Sequence, residues 1–98
     1  MNRPRFILSP EAVADLDEIW LFIAKDNMDA ADRNEEELRA AMVLLARQPN
    51  VGHVRPDLTE KSVKFWRVGS YLIVYSPDRH PLEIVRVLHG FRDLTKVL

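Results

Sequence analysis

The sequence predicts an α+β fold: a helical hairpin packed on a four-stranded antiparallel sheet, in the order β-α-α-β-β-β, with a short C-terminal tail or helix. Two observations carry this. The first half of the chain repeats apolar residues at three- and four-residue steps, the period of a helix with one buried face. The second half, from Val63 to Leu88, holds three short runs, VKFWRV, YLIVYS and LEIVRVL, rich in β-branched and aromatic residues. Gly69-Ser70 and the Pro77-to-Pro81 segment divide them, which are connections suited to antiparallel hairpins.

In chain order, Arg5 to Leu8 is a short apolar run and a first strand. Ser9-Pro10-Glu11 then marks a helix start, with Ser9 as N-cap, proline at the first helical position and an acid in the first turn. Val13, Leu16, Trp20 and Ile23, with Ala12 and Ile19 beside them, form the stripe of the first helix. Asp15 and Glu18 are expected away from it, and Phe22 also falls off it, leaving that ring to a loop or a partner. Asn27 is placed at the exit in a left-handed cap. The second helix starts near Asp29, buries Ala31, Leu38, Ala41, Met42 and Leu45, and ends before Pro49. A loop with two prolines and a glycine leads back to the sheet.

Folding the first hairpin about Gly69-Ser70 sets Val68 opposite Tyr71, Arg67 opposite Leu72 and Phe65 opposite Val74. A symmetric second loop would set Leu72 opposite Arg86 and Val74 opposite Ile84. By alternation, one face then carries Trp66, Tyr71, Ile73, Tyr75, Val85 and Val87. The other carries Phe65, Leu72, Val74, Ile84 and Leu88, with Arg67 and Arg86 flanking Leu72. With the helical hairpin returning the chain, the first strand is expected antiparallel beside the fourth, giving order 1-4-3-2. The hairpin covers the first face, and only the C-terminal tail is left for the second. An apolar face so exposed is a binding surface or an aggregation hazard.

Ninety-eight residues suffice for one domain. The chain has no cysteine, which excludes disulfides and thiolate metal sites, and its three histidines are scattered. No metal or other cofactor is expected. No apolar stretch approaches a membrane span, so a cytoplasmic protein is the default expectation. The net charge of −1 hides an asymmetry: residues 9–48 hold ten acidic and four basic side chains, residues 49–98 eight basic and five acidic. A polar partner fits such a division, whereas a pI near 6.3 argues against a general or sequence-specific nucleic-acid binder.

Five pieces together resemble one family: LSPEAVADLDEIWLFIAKDN, AADR, LLARQPNVGHVRPDL, VGSYLIVY and EIVRVLHGFRDL. In that order and spacing, over residues 6–95, the chain is similar to the ParE branch of the RelE/ParE superfamily of type II toxin–antitoxin toxins. The departure is Asn34-Glu35, where similar toxins carry bulky apolar residues. The resemblance implies a bacterial toxin domain spanning residues 1–98, held inactive by a cognate ParD-like antitoxin in a heteromeric complex. It also implies DNA gyrase as the target. Loss of toxicity, leaving only a complex partner, is the reading the departure opens.

The RelE branch uses the same fold as a ribosome-dependent mRNA endonuclease. Attack by a 2′-hydroxyl needs a base, an acid and cations for the developing phosphorane charge. Arg67, Arg86 and His89 would be the catalytic set of that alternative, but no convincing base accompanies them and Phe91 lacks a hydroxyl. The structural alternative for Arg67 and Arg86 is an ion pair with Asp93 or the C-terminal carboxylate, and for His89 a backbone hydrogen bond. The gyrase-directed reading is preferred, with no catalytic residues. The antitoxin is expected on Phe65, Arg67, Leu72, Val74, Ile84 and Arg86, and the target at the end of the last strand, on His89, Arg92 and Asp93.

Overall fold

A computed structural model describes residues 5–90 and 93. The elements are β1 (Phe6–Leu8), α1 (Pro10–Ala24), α2 (Met28–Arg47), β2 (Lys64–Val68), β3 (Tyr71–Ser76) and β4 (Leu82–His89). They form one four-stranded sheet of order β1-β4-β3-β2, as the sequence predicts. One pairing differs. β1 runs parallel to β4, with Phe6 beside Leu82 and Leu8 beside Ile84, while the other two pairs are antiparallel. The expectation of a wholly antiparallel sheet took the helical hairpin as the only return path. The long segment between Arg47 and Lys64 makes a second pass along the sheet, so β2 starts at the same end as β1 and the meander brings β4 into parallel register.

Ser9 fixes the start of α1 twice over. Its backbone is extended and its hydroxyl accepts from Ala12 N at 3.0 Å, while the same Oγ donates to the Val85 carbonyl at 2.7 Å. A serine N-cap contributes about 1 kcal/mol to a helix; here it also anchors α1 to β4. Asn27 is extended (φ −162°), not left-handed, and its side chain accepts from Ala30 N at 3.0 Å. It is therefore the N-cap of α2 rather than the exit of α1. The stripe of α1 is rotated slightly from the expected one: Ala12, Leu16, Ile19 and Ile23 pack on the sheet, whereas Val13 is exposed. Trp20 spans the two helices, its indole donating to Asp32 at 2.8 Å.

The first hairpin has the predicted register, Val68 to Tyr71, Arg67 to Leu72 and Phe65 to Val74. The second does not. Leu72 faces Leu88 and Val74 faces Arg86, but Tyr75 faces Ile84, so β4 carries one extra residue, Val85, as a bulge. A one-residue slip moves side chains to the other face. The bulge thus lets both Ile84 and Val87, three apart, face the helices, and it turns Val85 to the second face. That second face is not bare. Phe65, Val74 and Leu88 bury one another with Val63, and Leu58 from the long segment packs against them. Tyr75 holds that segment in place, donating to the Pro49 carbonyl at 2.8 Å and accepting from Gly52 N at 2.9 Å. His53 closes a two-way backbone bridge to Phe65 at 2.9 and 2.8 Å and stacks its ring on Trp66.

Candidate functional site

β1 ends at Leu8, but β4 continues for five residues past Ile84. The backbone donors on that side of β4 still need acceptors, and side chains supply them. Val87 N donates to Asp15 Oδ2 at 2.9 Å and His89 N donates to Asp93 Oδ2 at 3.0 Å. Asp15 is buried on α1, on the face expected to be apolar, and also binds the Arg86 guanidinium through Nε at 2.8 Å and Nη2 at 2.9 Å. This bidentate pair raises the pKa of Arg86 above its ordinary value, chiefly through the hydrogen bond to Asp15. Arg86 does pair with a carboxylate, as the structural alternative has it, yet the partner is Asp15.

The gap between α1 and the far half of β4 is a pocket of about 280 Å³. Asp15, Glu18, Ile19 and Phe22 form its helical wall; Tyr71, Val87, His89 and Asp93 form the other. The His89 ring meets Tyr71 edge-on, with centroids 5.2 Å apart, and its buried Nδ1 has no hydrogen-bond partner among the described residues. The pocket brings together two of the three residues expected to meet a target, His89 and Asp93; Arg92 lies outside the described residues. Among the described residues no group of histidine, aspartate and glutamate is arranged to hold a metal ion.

The residues expected to meet an antitoxin are dispersed. Phe65 is 4% exposed and Val74 fully buried. Ile84, expected on the second face, is fully buried in the helix-side core because of the bulge. Arg86, expected beside Leu72 on that face, is bound to α1. Arg67 and Leu72 remain accessible: Arg67 is exposed, with Nε donating to the Gly69 carbonyl at 2.9 Å, and Leu72 is half-buried. Arg67 and Arg86 therefore form no joint phosphate cradle. Asp15, expected away from the stripe, in fact lies inside it, three residues after Ala12 and four before Ile19, where an acid needs a partner.

The architecture first defines a class. A solved structure described as the chromosomal ParDE toxin–antitoxin system from P. aeruginosa overlays on it with a TM-score of 0.71, covering 90% of this chain and 97% of that one. At 17% identity the likeness is one of fold. The chain belongs to the family described as ParE toxin of type II toxin–antitoxin system, parDE, which matches residues 6–94. It is also 31% identical over 100 residues to Toxin ParE1 of Mycobacterium tuberculosis, in strains CDC 1551 / Oshkosh and ATCC 25618 / H37Rv, covering 96% of this chain and 97% of each relative.

Proposed function

We propose that this ParE toxin acts in the bacterial cytoplasm by binding DNA gyrase and poisoning it, and that a ParD-like antitoxin neutralises it by binding. Family membership over residues 6–94 supports the antitoxin partner. The observation that favours a protein-binding act over RNA cleavage is the Asp15–Arg86 pair. It engages Arg86, three residues before His89, through two nitrogens, at 2.8 and 2.9 Å, beside a pocket lined by Asp15, Glu18 and Asp93. Those acids oppose a phosphate backbone rather than attract it. The antitoxin is proposed to meet the second sheet face at its accessible members, Arg67 and Leu72, over a floor made rigid by Phe65 and Val74. Acidic groups on the antitoxin would meet Arg67.

The deciding experiment pairs two assays on the purified chain. Gyrase supercoiling should fall, with cleaved-DNA complexes accumulating, while mRNA in a translating extract stays intact. Adding the antitoxin encoded beside it should restore supercoiling. Cleaved message with unimpaired supercoiling would replace this reading by the ribosome-dependent endonuclease.

A further inference from the structure

Phe22 is 58% exposed at the mouth of the pocket, off the stripe by which α1 packs on the sheet. Glu18, one turn earlier on the same helix face, is exposed and has no hydrogen bond or ion pair among the described residues. The opposite wall carries the Tyr71 and His89 rings. A carboxylate without an ion pair among the described residues and aromatic carbon thus border about 280 Å³ of space.

The geometry points to a socket for one arginine side chain presented by a protein partner. A guanidinium is planar, carries five donors and no acceptor, and stacks on aromatic rings while pairing with a carboxylate. Its aliphatic stem matches the apolar part of the lining, Ile19 and Val87. Asp15 is not part of the attraction, because Arg86 already neutralises it. An anionic group would be repelled by Glu18, and a purely apolar one would offer that carboxylate no partner. The assignment rests on the chain acting through a protein partner, and not on which protein that is.

The test is titration of the ¹⁵N-labelled full chain with N-acetyl-arginine methylamide, with the norleucine and glutamate analogues as controls. Only the arginine compound should move the amides of Ile19, Val87 and His89, together with the imidazole nitrogens of His89. Glu18→Gln and Phe22→Ala alter exposed side chains, so their spectra should stay dispersed while binding weakens about three-fold each, the scale of exposed charge and cation–π contacts. Equal shifts with the norleucine compound, or none with arginine at its solubility limit, would overturn the proposal. Gyrase inhibition by the unmodified chain, measured separately, judges the proposed target independently of either result.

Discussion

Asp15→Ala would remove one side chain and strand two donors. The Val87 N–H would lose its acceptor at 2.9 Å, and the Arg86 guanidinium would lose both of its bonds. An unsatisfied buried donor costs about 1–3 kcal/mol. Breaking a fully buried ion pair from one side costs about 3–5 kcal/mol. Here the Arg86 side chain is 21% exposed, so it would recover part of its solvation and the lower end applies. The expected total is about 3–4 kcal/mol, a large share of the ~5–15 kcal/mol that holds a domain together. The measurement is urea unfolding followed by circular dichroism, with Arg86→Ala and the double variant completing a cycle. Arg86→Ala should cost less, about 2 kcal/mol, because Asp15 keeps its bond to Val87 N. The two should couple by about 2 kcal/mol, so that the double variant is barely worse than Asp15→Ala. A loss below about 1 kcal/mol for Asp15→Ala, or strict additivity, would refute the structural role given to this pair.

Other outcomes follow from the same geometry. Phe65→Asp places a charge where the ring is 4% exposed, and should unfold much of the population at 25 °C by costing more than about 4 kcal/mol, read by loss of near-ultraviolet dichroism. Arg67→Glu alters an exposed side chain and should leave unfolding unchanged within about 0.5 kcal/mol while weakening antitoxin binding several-fold by calorimetry. Gly52→Ala would drive a methyl into the Tyr75 hydroxyl and should cost about 1–3 kcal/mol in urea unfolding as the long segment is pushed off the sheet. Burial holds the Tyr75 phenol above its ordinary pKa of 10.0, so its neutral form is favoured by folding. That contribution is complete below pH 10 and is lost as pH rises through the folded value; Tyr75→Phe should therefore flatten the alkaline end of the stability profile.

What could be read from the sequence was whatever depends on local period and local chemistry. Ser9-Pro10 marks a helix start wherever it packs, and Leu38, Met42 and Leu45 share a face by spacing alone. Gly69, at φ +58°, makes the first hairpin's turn a local matter, so its register followed. The direction of β1 relative to β4 is not local; it depends on how residues 48–63 travel, which Tyr75, Gly52 and His53 decide through contacts distant in sequence. The bulge at Val85 is likewise invisible to alternation, since Ile84, Val85 and Val87 are all apolar and either face would accept them. That ambiguity moved Ile84 to the wrong side. Of the pocket's lining, His89 and Asp93 stood out by their place at the end of the last strand, whereas Glu18 and Tyr71 carried no pattern that distinguished them from surface and core.

One topological fact links the Asp15–Arg86 pair to the pocket. Because the helix-starting Ser9-Pro10 pair ends β1 after three residues, the edge of β4 away from β3 has a neighbouring strand for only its first half. The second half borders α1 instead, and a helix cannot offer a row of backbone acceptors to a strand edge because its own carbonyls are engaged. The donors of Val87 and His89 are therefore met by carboxylates, from Asp15 and Asp93. A carboxylate placed deep enough to reach Val87 N must itself be compensated, and Arg86, the adjacent cation on the same strand, provides the charge. The same substitution of side chains for a strand leaves a gap that no backbone fills, and that gap is the pocket. A longer β1 would close it, satisfy Val87 through backbone and release Arg86. The short first strand thus accounts both for the engagement of Arg86 by Asp15 and for a pocket rimmed by acidic and aromatic side chains.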